Sequence, residues 1–419
     1  MGEYVGLTIG NHDFLSWKNS FGGLLLIFSE EDLKIENCMC DDELYQRRYF
    51  STTIFKAKKC LDCLGYTLLE ARKDFEKSKE EELEFIDYRI ETDAEYESEY
   101  QKIKEEFTFE KWEKAVKKYA RILYNDSYDS TINDYKKIYK ERKKKLSVAE
   151  QIVIDTLPFP DSDKFFGLYG DEICVWNIFR VILEAFSDEE IIELDYTNLF
   201  DGGWCDEKPT DEDLAVPKTI ILTEGKFDVE VLSKSMKLLY PYMTKFFSFI
   251  NFSEYHVQGS TNFLTHYLRA FIASGIQNRV IAIYDNDSAG RAEILSLSEI
   301  SIPENFRIMT LPNIKLANNY PTLGPNGKDL LNINGKACSI ELYLGKDVLK
   351  DNDDFIPVHW KGYNEKTKTY QGEVMNKSII QERFRKKVLL ASDKNEETYD
   401  WEPMRLLLEN IFSAFSKEQ

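Results

Sequence analysis

The sequence predicts an α/β protein with a parallel-sheet core, preceded by a mixed, mostly helical N-terminal region and followed by a small α+β extension. Three observations predict it. After Pro217, short apolar runs alternate with helical stretches through short connections, which is the pattern of βαβ units. Between about residues 70 and 145, aromatic and aliphatic residues recur at helical spacing amid dense charge. From 346 onward an apparent hairpin precedes two more helical stretches.

The elements follow in order. GEYVGLTIGNHDFLSW (2–17) carries strand and turn signals, and GGLLLIFS (22–29) reads as a buried strand. Helical texture begins near 52. Phe75, Ile86, Tyr96, Tyr100, Ile103, Phe107, Trp112, Val116, Tyr119 and Ile122 make the apolar faces of long amphipathic helices. Residues 146–200 continue as helix, and the Gly-, Pro- and Asp-rich stretch 200–217 is a boundary. Then come strand 219–223, helix 229–239, strand 246–252, helix 262–274, strand 279–284, helix 289–298 and strand 306–311. IPVHWKGY and YQGEV pair as a hairpin, before helices 377–391 and 401–415. Four regions are expected: 1–70, 71–215, 216–345 and 346–419.

Composition sets limits. A chain of 419 residues with 43% hydrophobic content can build more than one core. The net charge of −20 argues against a protein that coats polyanions with a basic surface, so phosphate chemistry needs bound cations or a local basic patch. The N-terminus shows no signal-peptide pattern, and Leu24–Phe28 is too short an apolar run to span a bilayer. Seven cysteines without secretory features point to free thiols in a reducing cytoplasm.

Parallel sheets bind ligands at the carboxyl ends of their strands. Two expected strands place acids there. The first ends at Glu224-Gly225, with Asp228 in the next helical turn, and the third ends at Asp285-Asn286-Asp287. An Asp-x-Asp pair on a tight turn offers hard oxygen ligands for Mg²⁺ or Mn²⁺, and Gly225 is expected to let backbone approach a ligand. Ordinary helix caps and turn residues explain one of these acids, not the ordered set.

TIILTEGKFD, then 61 residues from Glu224 to Asp285, then AIYDNDSAG, resembles the Toprim domain of topoisomerases, primases and OLD-type nucleases over about 219–315. The resemblance implies a Rossmann-like core, with Glu224 as general acid/base or metal ligand, Asp285 and Asp287 as ligands, and Asp228 as a further ligand or its neighbour. MGEYVGLTIGNHDFLSWKN, YPTLGPNGKD, NGKACSIELYLGKDVL, PVHWKGY and YQGEVMNKS resemble HEPN/Toprim-associated proteins of bacterial antiphage conflict systems. That implies a nuclease that restricts phage. A HEPN ribonuclease site needs an arginine a few residues before a histidine. None of His12, His256, His266 and His359 has an arginine four to seven positions upstream. GPNGKDL (324–330) lacks the spacing and hydroxyl of a phosphate loop, so no ATP site is expected in this chain.

Other residues carry weaker signals, each with a plainer explanation beside it. Glu341 is an additional metal-ligand candidate or a surface glutamate. Lys336, His359, Lys361 and Lys377 are candidates for contacting a scissile phosphate, or solvated surface groups. The basic run Lys136–Lys145 is a backbone-tracking patch or a solvated helix face. Cys38, Cys40, Cys60 and Cys63 would make a zinc site, or simply face a core.

The reading expected from sequence is a Mg²⁺- or Mn²⁺-dependent endonuclease or nickase acting on DNA. A ribonuclease acting on substrates such as tRNA is the alternative, and a non-catalytic sensor or scaffold the third. Its partners would be nucleic acid and a second protein or copy of itself, with no membrane.

Overall fold

The structure is a computed structural model that describes residues 2–40, 43–90, 96–125, 141–156, 174–210, 213–250, 259–393 and 398–416. The chain forms two compact units, Met1–Ala215 and Val216–Gln419. No helix among the described residues is long and apolar enough to cross a membrane.

The first unit holds a five-stranded antiparallel sheet. Strands β1 (Tyr4–Ile9), β2 (His12–Lys18), β3 (Leu33–Cys40), β4 (Glu43–Thr53) and β5 (Ile191–Asp195) are ordered β2-β1-β5-β4-β3. The sheet therefore joins residues on both sides of the expected boundary at 70. Val5, Leu7 and Ile9 alternate inward on β1, as Ile192 and Leu194 do on β5. Strand β5 corrects the expectation of unbroken helix over 146–200. Its five-residue alternation follows the strongly apolar helix Val175–Leu183, whose signal dominates the window.

GGLLLIFS is also corrected. Leu24–Ile27 is a short 3-10 helix with Leu24, Leu25 and Ile27 buried, entered through Gly22 and Gly23 at positive φ. A short apolar run cannot by itself distinguish a strand from a buried turn of helix. The helices Leu68–Ile90 and Phe109–Asn125 bury Phe75, Phe109 and Trp112 against one another, so the aromatic stripe is packing.

The second unit is built on a parallel sheet. Strands β6 (Thr219–Leu222), β7 (Phe247–Phe249), β8 (Val280–Tyr284) and β10 (Phe306–Thr310) are ordered β10-β8-β6-β7, every pair parallel. β8 is buried along its whole length, as a central parallel strand must be. Leu222, Leu264, Leu268, Val280, Ala282, Tyr284 and Phe306 form its core. A mixed α/β fold with a parallel sheet is what the alternation predicted.

Two further pairings bring distant chain to this sheet's carboxyl edge. β9 (Asn286–Asp287) pairs antiparallel with β13 (Ala337–Cys338). β11 (Tyr320–Gly324) and β12 (Gly327–Leu331) form a hairpin; after the small ribbon β14 (Lys350–Asp351) and β15 (Asp354–Phe355), strands β16 (Val358–Asn364) and β17 (Thr369–Val374) complete a sheet ordered β12-β11-β16-β17. This sheet spans the expected boundary at 345. GPNGKDL is its hairpin turn, with Gly327 at φ +96°.

Candidate functional site

Glu224 lies just beyond β6 and Asp285 just beyond β8, neighbouring parallel strands. The Asp285 backbone N–H donates to Glu224 Oε1 at 3.0 Å, and the Thr261 hydroxyl donates to Oε2 at 2.6 Å. Thr261 is the first residue of the helix Thr261–Ala273. Asp228 folds back over the first turn of the helix Lys226–Leu239 and accepts the Gly225 N–H at 2.9 Å. Asp287 caps the helix Ser288–Leu295 by accepting the Gly290 N–H at 2.8 Å.

Glu341 reaches the same region through the β9–β13 pairing, because the short 3-10 helix Ile340–Tyr343 begins two residues after β13. It is 3% exposed and accepts from Ser339 Oγ at 2.7 Å. That excludes a surface role. Lys377, first residue of the helix Lys377–Asp393, sets its Nζ 3.6 Å from Glu341 Oε2.

The acids act on one another. Burial raises the Glu224 carboxyl, and Asp287 adds to the rise against the pull of Thr261 and the Asp285 N–H. Burial, with Glu224 and Glu341 nearby, pushes Asp228 up to about 7. Asp285 is raised well above the ordinary carboxyl range, by burial first and then by Glu224, Asp228, Asp287 and Glu341. Asp287 is raised by burial, opposed by the Gly290 and Ala289 N–H groups. Burial would lower the Lys377 ammonium, but Glu341, Asp285, Glu373 and Asp228 outweigh it and raise it. Such a cluster binds protons or cations strongly.

Glu224, Asp228, Asp285, Asp287, Glu341 and Lys377 are thus brought within electrostatic reach of each other. Glu224, Asp228, Asp287 and Glu341 each also accept a hydrogen bond from protein. Among the described residues, no group of three or more His, Cys, Asp and Glu side chains is drawn close enough to hold a metal ion. The donor chemistry nevertheless fits a hard divalent cation: carboxylate oxygens throughout, with like charges crowded at a strand-end edge.

Of the remaining candidates, Lys336 lies beside the acids through its main chain, which bridges to Asp287. Lys336 contributes its backbone carbonyl to Ser288 N–H at 3.2 Å. Lys361 is exposed and ion-paired with Glu373, and His359 is exposed on β16. Cys60 and Cys63 are buried in the helix Ile54–Leu64 and Cys38 lies on β3; the Cys40 side chain is outside the described residues. In the basic run, Lys136, Lys137 and Lys140 lie outside the described residues. Arg142 is buried, and Lys144 pairs with Glu141.

Sequence reasoning missed three supporting groups. Thr261 orients Glu224, and its signal was a Ser-Thr pair opening an apolar helix. A Cβ on Gly290 would stand 2.4 Å from the Asp285 carbonyl oxygen, and one on Gly259 2.6 Å from the Glu224 carbonyl oxygen. These two glycines let backbone pack against backbone here, whereas a Cβ at Gly225 would meet no protein atom within 4 Å.

A family model described as HEPN/Toprim N-terminal domain 1 matches residues 1–218. No curated protein and no solved structure matches the chain.

Proposed function

The chain belongs to the HEPN/Toprim N-terminal domain 1 family, and from that premise we propose that it is a metal-dependent nuclease whose second unit is a Toprim core. The observation that carries this reading is the meeting of Glu224 and Asp285, delivered by adjacent parallel strands to one sheet's carboxyl edge. The family match covers the first unit. The nuclease reading rests on the second unit's acids and their resemblance to Toprim motifs.

Glu224, Asp285 and Asp287 would hold Mg²⁺ or Mn²⁺, with Asp228 and Glu341 beside them. When bound, such an ion stabilises negative charge gathering on a phosphoryl group. The chain's own residues do the rest. Glu224, held by Thr261 and raised above the ordinary carboxyl range, takes a proton from attacking water or returns one to the leaving oxygen. Lys377 supplies positive charge to a non-bridging phosphate oxygen, a role for which its neighbouring carboxylates keep it protonated. Lys336, whose main chain pairs with Asp287, and Lys361 would also contact the scissile phosphate.

The substrate favoured is DNA, cut as an endonuclease or nickase. RNA cleavage is the alternative. The resemblance to conflict-system proteins supports an effector role in antiphage defence within the bacterial cytoplasm, with the first unit sensing a partner or an invader.

The test is a cleavage panel of supercoiled plasmid, single-stranded DNA, tRNA and structured RNA, with Mg²⁺, Mn²⁺ or EDTA. Metal-dependent cutting that disappears in Glu224→Gln and Asp285→Asn is expected, and the cut member identifies the substrate. Cutting that survives both substitutions would overturn the assignment of these acids.

A further inference from the structure

A second concave site lies in the second unit, outside the acid cluster. It is a groove of about 780 Å³ bordered by the helix Lys226–Leu239, the helix Lys377–Asp393 and β7, the edge strand of the parallel sheet. That volume lies within the range of about 300–1,000 Å³ typical of ligand pockets.

Its chemistry is unusual for a chain of net charge −20. Lys218, Lys226, Lys234 and Arg385 line it, against one carboxylate, Glu230. Arg385 grips Glu230 at 2.8 and 2.7 Å, and Lys234 reaches it at 2.7 Å, so that acid is already neutralised. Lys218 and Lys226 are exposed and make no ion pair among the described residues. Phe227 and Phe249, both half-buried, line the same groove, with the Arg385 guanidinium 5.8 Å from the Phe227 ring centroid. Unpaired cations beside aromatic rings are the two parts of a single-strand binding surface: ammonium groups for the backbone, π-faces for the bases.

We propose that this groove binds a single-stranded polynucleotide, its phosphates on Lys218 and Lys226 and its bases against Phe227 and Phe249. Lys226 and Phe227 follow Glu224 by two and three residues, so one end of the groove begins within a single turn of chain from the acid-bearing strand end. The inference deepens the nuclease reading by giving the substrate its bed. A peptide added to the β7 edge would need main-chain pairing, which gives no use to the two unpaired lysines.

The experiment uses the full chain in EDTA, so that binding is read without cleavage. Fluorescence anisotropy follows labelled 15-residue oligo-dT and oligo-rU across a salt series. The two arms separate DNA from RNA. Saturable binding is expected for one or both. The double variant Lys218→Glu/Lys226→Glu should weaken it at least tenfold and cut the logarithmic salt slope by about 1.4, two released counterions on a single strand. Phe249→Ala should weaken binding about fivefold or more with the slope unchanged. Lys111→Glu, an exposed lysine of the first unit, serves as the control for charge alone.

Wild-type protein that binds neither oligonucleotide up to about 100 μM, the weak end of non-specific binding, overturns the proposal. So does a double variant that binds like wild type. Metal-dependent cutting with binding unchanged in the double variant would sink the groove and spare the nuclease. Groove-dependent binding by a protein that never cuts would do the reverse.

Discussion

The Asp285 backbone N–H points at Glu224 Oε1 across 3.0 Å, so the two acids that repel each other through their side chains are tied through a main-chain bond. Neutralising either carboxyl should therefore separate activity from stability. Glu224→Gln keeps an amide oxygen to accept from the Asp285 N–H, turns its NH2 toward the Thr261 hydroxyl oxygen, and removes a charge. We expect cleavage to fall about 10²-fold or more, the size of a lost general acid/base. In EDTA at pH 8 the melting temperature should hold or rise, because repulsion is relieved. Paired cleavage and thermal-melt measurements check it; a variant that loses both would make Glu224 structural.

The raised carboxyls fix the sign of the pH response. Asp228, with an ordinary value of 3.8, titrates at about 7 in the fold, and Glu224, Asp285 and Asp287 shift in the same direction. Between those limits the folded state keeps protons that the unfolded chain has released. Stability contributed by these groups is then present below the unfolded pKa and lost as pH rises through the folded one. Metal-free protein should melt progressively lower from about pH 4 to pH 7 for this reason. Millimolar Mg²⁺ should restore the loss at pH 8 and do little at pH 4.5, where protons hold the sites. Melting curves with and without EDTA decide it, and equal Mg²⁺ protection at both pH values would count against carboxylate binding.

Gly290 and Gly225 make a matched pair. A methyl group at 290 collides with the Asp285 carbonyl, which cannot yield without moving β8's end, whereas one at 225 meets open space. Gly290→Ala should cost about 1–3 kcal/mol as overpacking, with activity falling further because Asp285 is displaced. Gly225→Ala should unfold like wild type in urea. The comparison fails if both variants behave alike.

The second unit was legible in sequence because each of its strands is a short apolar run ending in a turn signal, with TIILTEG and AIYDND placing acids at the same edge. Glu341 was legible as a ligand candidate set beside a surface role, but not as a buried neighbour of the other acids. Its neighbours in space arrive through the two-residue β9–β13 pairing, and a pairing that short leaves no periodic trace. Lys377 was readable as a cation but not as the partner of Glu341, 36 positions earlier in the chain. In the first unit, β5 escaped because it is separated by more than 130 residues from β1 and β4, the strands it fills between. Local pattern names elements well; long-range pairing is set by which faces remain to be buried.

Lys377 and Lys361 should part company. Lys377 is half-buried among Glu341, Asp285, Glu373 and Asp228, while Lys361 pairs with Glu373 at the surface, where such pairs contribute about 0–1 kcal/mol. Lys377→Met should lower the cleavage rate about 10²-fold, as loss of a charge-stabilising donor does, and should depress the metal-free melting temperature at pH 8. Lys361→Met should shift both far less. Steady-state rates and melts of the two variants check this, and equal losses would place both lysines in the same role.

Lys387 anchors the segment that carries Glu341. Its side chain is buried, with Nζ donating to the Leu344 carbonyl at 2.7 Å, the Asp400 carbonyl at 2.6 Å and Asp347 Oδ1 at 3.0 Å, over the Trp401 ring. Leu344 closes the 3-10 helix that presents Glu341. Lys387→Met keeps the apolar stem but leaves two carbonyls and a carboxylate without their shared donor, at a cost of about 3 kcal/mol or more. Lys387→Arg should not rescue it. Gly345 sits against the ammonium at φ +96°, where even a Cβ would stand 2.7 Å from Nζ, so the wider guanidinium finds no room. Urea midpoints of the two variants test the anchor, and an arginine variant as stable as wild type would show that charge alone, not the fitted ammonium, holds the segment in place.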